Sequence, residues 1–423
     1  MRPEPGGRRR VVRAWGGVSW ICSSYFSPEH MWLPDFCFGM AFAMALIPAD
    51  EQVPRSSRKR PAAAMAAESQ THASSGVIER PQLSQLTRCL PVGPISYASD
   101  CSGLDAGAVA LKSLVAFRHA WASEVNPHYR DILQATHPDV ARLFHDVSQR
   151  SEEALEPHVG DITVYTAGFP CVSFSKAGAQ QGHHDPSTGM LSFYVVMTVC
   201  TVLPDMFILE NVPEFASDPK QRQHFDITIR MLCNAGCHSY NIYWRVLNSK
   251  DYSVPAQRKR IFIVGLRRDR THGRWVWPPA EPPVGLETVF DTHQPTPTQQ
   301  DTMIAALPPS CLENLARGLE QVAGRSGHWV IDIGASKSRR SQPTYNEMPT
   351  ITKTRAGKRH WYISDHGLIS ESELLRCQGF EPSRVTVPAH TNREKVCEMA
   401  GNAMTVTVMR CLLRNGLRAL GRM

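Results

Sequence analysis

Gly168-Phe169-Pro170-Cys171-Val172-Ser173-Phe174-Ser175 is the stretch on which the reading of the fold turns. It follows an apolar, β-branched run from Ile162 to Thr166, which predicts a buried strand. Gly168 and Pro170 break that strand, so Cys171 is expected on a loop at its carboxyl end. Open α/β sheets bind their ligands at that edge. Met206-Phe207-Ile208-Leu209 predicts a second strand, ending at Glu210-Asn211-Val212, and the apolar segment from Met190 to Leu203 fits a helix crossing between the two. Strands of a βαβ unit run parallel, so Cys171 and Glu210 are expected at one edge although 39 positions separate them.

A thiol beside a carboxylic acid suits one chemistry well. The thiolate adds to an electron-poor ring carbon, and the acid supports the ring nitrogen as charge moves onto it. The segment 168–175 resembles the Pro-Cys motif of cytosine-C5 DNA methyltransferases, and Glu210-Asn211-Val212 resembles their Glu-Asn-Val motif. The resemblance extends over about 95–268 and 345–420, with the motifs in the family's order. It implies an α/β fold: a class I methyltransferase Rossmann-like mixed sheet with a small inserted target-recognition lobe. It also implies S-adenosyl-L-methionine as cofactor, double-stranded DNA as partner, and a cytosine flipped out of the stack. Cys171 then attacks C6, and Glu210 holds N3.

Further motifs fill in the site. Ile95–Ser99 predicts the first strand, Asp100–Gly107 a small-residue turn, and Val109–Val115 a helix. A strand, turn and helix in that order suit a nucleotide-like ligand. The turn resembles the family's first motif through Ser102-Gly103, which implies cofactor contacts from Cys101, Ser102, Gly103 and Leu104. Where the family has a Gly-Gly pair, this chain has Asp105-Ala106. An acid at the end of the second strand suits two ribose hydroxyls, and Glu124 matches the family's ribose-binding residue. Two acids compete for the adenine contact, Asp146 in Phe144-His145-Asp146-Val147 and Asp161 in Gly160-Asp161-Ile162. Asp146 with Val147 is the better match, one strand before the strand that delivers Cys171. Pro170 and Asn402, the latter in Ala400-Gly401-Asn402-Ala403-Met404, complete the expected cofactor set.

Gln257-Arg258-Lys259-Arg260 resembles the Gln-x-Arg-x-Arg motif with its glutamine one residue late. Alternate residues of an extended segment point the same way, so Arg258 and Arg260 are expected to reach a phosphate and the base together and to join the catalytic set. From Trp277 prolines cluster and the catalytic motifs stop. The interval 269–345 is therefore the expected recognition region, with Arg325, Lys337, Arg339 and Arg340, and with Ser175 of the Cys171 loop, as DNA contacts. The catalytic domain is expected over 91–268 and 346–423, and 1–90 as a disordered or targeting segment.

The bulk numbers fit this reading. The net charge of +7 over 423 residues suits a polyanionic partner. The twelve cysteines are scattered, and only Cys233, Cys237 and His238 cluster, so no metal is expected and a reducing compartment is favoured. No run reaches the roughly 18 apolar residues of a membrane span. Arg58-Lys59-Arg60 reads as a nuclear signal, and Arg8-Arg9-Arg10 with Arg13 reads alternatively as part of a plastid or mitochondrial transit peptide. A bacterial source would make the protein cytoplasmic. The rival functions are a tRNA cytosine methyltransferase sharing the motifs, whose branch typically carries Pro-Pro-Cys and a Cys-Phe-Thr signature not found here, and a non-catalytic DNA-binding protein on the same fold.

Overall fold

The computed structural model describes residues 75–79, 93–169, 190–336 and 342–423. The first part of the chain runs β1 (Ser75–Ile78), β2 (Ser96–Asp100), α1 (Ala106–Lys112), β3 (Arg118–Ser123), α2 (Pro127–Thr136), β4 (Leu143–Phe144), β5 (Val164–Gly168) and α3 (Leu191–Val202). It continues through β6 (Met206–Asn211), α4 (Arg222–His238), β7 (Tyr240–Asn248) and β8 (Lys259–Arg267). These eight strands form one sheet in the order β1-β7-β8-β6-β5-β2-β3-β4. β4, β3, β2, β5 and β6 run parallel, whereas β8 is antiparallel to both β6 and β7. The chain winds outward from β2 to β4 and then returns to β5 beside β2. The order reverses between β2 and β5, which is where such sheets hold ligands.

Alternation within the strands builds the two faces. Tyr97, Val164, Met206, Ile208 and Val264 join a cluster with α1, α2 and a C-terminal helix. Ala98, Tyr165, Phe207, Leu209 and Ile263 turn the other way and pack with α3 and α4. Both faces are covered, so the central strands read as continuous apolar runs rather than alternating ones.

The remaining elements are α5 (Pro297–Ala305), α6 (Pro309–Val322), β9 (Trp329–Asp332), β10 (Thr344–Tyr345), α7 (Lys353–Lys358), β11 (Trp361–Ile363), β12 (Gly367–Leu368), α8 (Glu371–Cys377), α9 (Glu394–Asn402) and α10 (Val406–Ala419). A second, wholly antiparallel sheet has the order β10-β9-β11-β12. It extends past residue 345, because β9 pairs with β11 as well as β10, and β11 with β12. At the other end, Trp275 packs in the core of the large sheet, and Tyr252 Oη donates to the Pro278 carbonyl at 3.2 Å. The proline-rich start of the 269–345 interval therefore belongs physically to the large sheet.

Three expectations move. β5 continues through Gly168 instead of stopping before it. α1 starts at Ala106, not Val109, because Asp105 caps it and accepts from the Ala108 N–H at 3.1 Å. The segment expected to be disordered supplies β1, which pairs with β7 from Ser75–Arg245 to Ile78–Ile242. Four residues are too few to show a period, and only the waiting edge of β7 makes them a strand. Tyr243 Oη also donates to Glu79 at 2.9 Å. A chain shortened to begin at Pro91 should therefore fold with a bare β7 edge. Losing one ladder and one hydrogen bond, worth roughly 1–2 kcal/mol, should lower Tm by at least about 2 °C. An unchanged Tm in thermal denaturation would show that β1 adds nothing.

Candidate active site

The carboxyl edge of the parallel strands gathers most of the described candidates. Gly168, the last residue of β5, stands opposite Glu210 in the parallel register with β6. Glu210 is buried, and its Oε1 lies 3.0 Å from Arg260 Nε in an ion pair. A side chain added at Gly168 would lie 3.6 Å from Glu210 Oε2 and 3.5 Å from Met404 Cγ. Thus β5, β6, β8 and the C-terminal segment converge on one carboxylate. Pro170, Cys171 and Ser175 lie outside the described residues, as do Lys337, Arg339 and Arg340.

The paired arginines divide their work. Arg258 donates to the carbonyls of Ile351 and Gly401 at 3.0 Å and of Asn402 at 3.1 Å. It is 5% exposed, so these contacts are made away from water. Sequence alternation pointed both arginines the same way, toward a phosphate and the base together. In the structure only Arg260 reaches Glu210, and Arg258 ties β8 to the segment returning from the small sheet. Asn402 contributes its carbonyl to this tie, while the residue as a whole is exposed.

The cofactor turn follows β2. Cys101, Gly103 and Asp105 all have left-handed φ, near +52° to +53°. Two of the three are not glycine, so the turn needs side-chain support. Asp105 provides it: Oδ1 accepts from Tyr97 Oη at 2.5 Å and Oδ2 from Ser99 Oγ at 2.8 Å, with His119 Nε2 at 3.4 Å. Burial raises the Asp105 pKa, but the histidines and hydrogen bonds outweigh it and hold the carboxyl well below its ordinary range. Gly107 must lack a side chain, because a Cβ there would collide with Tyr97 Oη. Leu104 buries its side chain in the core.

Glu124, just past β3, accepts from the Gly103 N–H at 3.1 Å and the Asn126 N–H at 3.0 Å. One carboxylate therefore joins the cofactor turn to the start of α2. Burial raises its pKa in spite of these bonds. Asp146 caps the turn after β4, accepting from the Ser148 N–H and Oγ at 2.8 and 2.7 Å, and Val147 is buried beside it. The rival Asp161 pairs with Arg118 at the start of β3, the opposite edge of the sheet from the ligand side. The Cys101 thiol is pushed well up by burial and by the nearby Asp100 and Glu124. It stays protonated and is a poor nucleophile.

The pair Asp100 and Arg150 was not read from the sequence. Asp100 is completely buried at the end of β2 and meets Arg150 through two parallel bonds of 2.7 and 2.6 Å. The only sequence signal was an acid ending an apolar strand, which demands a partner but does not name it. Among the described residues, ligand atoms of His119, His137 and Asp139 lie within 4.8 Å of one another. The Lys112 ammonium sits among them, 3.0 Å from Asp139 and 3.4 Å from His137 Nδ1, so a cation is already supplied. Arg325 lies in the small-sheet region, exposed and 5.0 Å above the Trp329 ring. No helix among the described residues is long and apolar enough to cross a membrane.

A doubly wound sheet whose reversal point carries a small-residue turn, two strand-end acids and a buried glutamate paired with an arginine is the architecture of a class I methyltransferase. The chain belongs to the C-5 cytosine-specific DNA methylase family, whose model matches residues 95–417. It is 27% identical to the type II methyltransferase M.NgoBI of Neisseria gonorrhoeae over 302 residues, 69% of this chain and 83% of that protein. It is 28% identical to the type II methyltransferase M.NlaIV of Neisseria lactamica over 224 residues, so the match spans about half of that relative, 51%. The fold is also that of the S. pombe Dnmt2 methyltransferase, with a TM-score of 0.55 and 16% identity over 77% of this chain and 98% of that one.

The two arginines should separate in mutagenesis. Arg258→Ala leaves two buried carbonyls and one partly buried one short of donors and should destabilise by about 2–4 kcal/mol, seen as a clear fall in Tm. Arg260→Ala should chiefly lower turnover. The reverse pattern would overturn this division.

Proposed function

We propose that the protein transfers a methyl group to C5 of cytosine in double-stranded DNA, with Cys171 as the nucleophile and Glu210 as the acid at N3. The register of Gly168 with Glu210 carries this reading. Cys171 follows Gly168 by three residues, so its Cα lies within about 11 Å of that point whatever the path between. A flipped cytosine entering this edge meets a thiol and a buried, Arg260-paired carboxyl together. The thiolate bonds to C6. Glu210 favours protonation at N3, and C5 becomes enamine-like. After methylation a base takes the C5 proton, the C6–S bond breaks, and Cys171 departs as thiolate.

S-adenosyl-L-methionine supplies the methyl group when bound. The turn after β2 suits such a ligand, because a Cβ built on Gly103 meets no atom within 4 Å and the space above it is open. Glu124 takes one main-chain N–H on each oxygen, and its remaining lone pairs can accept from ribose hydroxyls. Asp146 and Val147 would border the adenine, with Cys101, Ser102, Leu104, Pro170 and Asn402 completing the site. The net charge of +7 favours a nucleic acid partner. The recognition role of Arg325, Lys337, Arg339 and Arg340, and the nuclear address in Arg58-Lys59-Arg60, belong to the same proposal.

A labelled-methyl transfer assay tests the substrate: duplex DNA should be labelled and tRNA should not, and the opposite result would move the protein to the tRNA branch. Duplex DNA carrying 5-fluorocytosine has no C5 proton to lose, so the protein–DNA adduct should persist on a denaturing gel, and Cys171→Ala should abolish it. Glu210→Gln should slow turnover by about 10²–10⁴-fold. A wild-type rate in Cys171→Ala would refute the mechanism.

Cofactor binding should depend on pH through Glu124. Its pKa is raised, so the charged acceptor is lost as pH falls, starting above the ordinary glutamate value of about 4.3. Affinity for S-adenosyl-L-methionine should fall correspondingly on acidification, and Glu124→Gln should remove that dependence. A titration that stays flat for the wild type would exclude the ribose role.

A further inference from the structure

We infer that the buried Asp100–Arg150 pair is the positioning device of the cofactor pocket, an inference that rests on the cofactor site proposed above. The geometry is unusually complete. Asp100 Oδ1 accepts from Arg150 at 2.7 Å, Ser123 Oγ at 2.8 Å and Trp121 Nε1 at 3.3 Å. Oδ2 accepts from Arg150 at 2.6 Å and Tyr165 Oη at 2.7 Å. Arg150 also donates to Thr198 Oγ1 at 2.6 Å. The two side chains are 0% and 1% exposed. The guanidinium lies 5.1 Å above the Phe144 ring and 5.7 Å from that of Trp121. Every strong acceptor direction of the carboxylate is therefore filled, and the pair has one arrangement available to it.

Its place in the chain gives this arrangement a consequence. Asp100 immediately precedes the left-handed turn that begins at Cys101. Arg150 ends the short helical turn capped by Asp146. These are the two walls between which the ribose and adenine ends of the cofactor would lie. They are weakly joined otherwise, because the β3–β4 ladder consists of only two residue pairs, Ala122–Leu143 and Ser123–Phe144. Thr198 adds the third wall: it lies on α3, the helix that follows the Cys171 segment. The pair thus fixes the distance between the cofactor turn and the adenine-side turn and ties both to α3. Asp100 and Arg150 touch no substrate in this scheme. They act through the residues beside them.

The burial that makes the pair rigid also makes single removal hazardous, since a lone buried charge is strongly destabilising. The informative variant removes both charges and keeps hydrogen-bonding groups: Asp100→Asn with Arg150→Gln. Calorimetric titration of the full chain with S-adenosyl-L-methionine, well below Tm, should show Kd raised about tenfold or more, with affinity for a duplex oligonucleotide unchanged. Arg150→Lys keeps the charge without the two-pronged geometry. It should stay folded, raise the KM for the cofactor and leave kcat at saturating cofactor near the wild-type value. Wild-type cofactor affinity in a folded double variant, or a wild-type KM in Arg150→Lys, would overturn the inference. If the double variant does not fold, the Arg150→Lys result decides alone. Failure of the wild-type protein itself to bind S-adenosyl-L-methionine would instead overturn the cofactor site.

Discussion

A guanidinium carries five N–H donors, and at 5% exposure Arg258 has little water to give them to. It meets the carbonyls of Ile351, Gly401 and Asn402 instead. This constraint holds the catalytic edge together. The chain leaves the large sheet after β8, builds a second sheet, and comes back at Gly401 and Asn402, 143 and 144 positions beyond the Arg258 that holds them. Two residues beyond Arg258, Arg260 faces Glu210. The same β8 segment therefore anchors the returning chain and supports the candidate acid. Loss of the anchor would loosen Met404 as well, which borders Gly168 and Glu210. A second joint closes the same return on the cofactor side, where Tyr129 Oη on α2 donates to Glu398 on α9 at 2.6 Å.

The cofactor turn solves its backbone problem by an unusual route. Left-handed residues favour glycine because a Cβ crowds the neighbouring carbonyl. Here Cys101 and Asp105 take that conformation, and buried polar partners hold Asp105. The carboxylate of Asp105 serves three purposes: it caps α1, anchors Tyr97 and faces His119. The turn is rigid because its supporting groups are desolvated and mutually bonded, not because its backbone is relaxed. A ligand bound there meets a preformed surface, which limits the ordering that binding requires.

Much of the parallel core was legible. Ile162–Thr166 and Met206–Leu209 announced buried strands because strands covered on both faces are apolar at every position. The segment Met190–Leu203 announced its helix by length, and the Gly168–Glu210 juxtaposition followed from the handed, parallel crossover. What failed to show were features decided by distant partners. β1 exists because β7 has an open edge. The small sheet runs past residue 345 because β9 pairs with β11. Asp146 was the better motif match from the sequence, but that Asp161 pairs with Arg118 at the other edge of the sheet was decided by strand polarity.

The sequence by itself determined the strand-forming runs, the acid at the end of β6 and the strand-end acids beside β3 and β4. These depend on local periodicity and on the rule that a parallel crossover returns to the same edge. Tertiary structure alone decided which charges meet. Arg258 turned to main-chain carbonyls while Arg260 took Glu210, and Asp100 found Arg150 fifty positions away. A buried charge must be compensated where it lies, and the compensating group is chosen by proximity in space, which no local pattern of residues encodes.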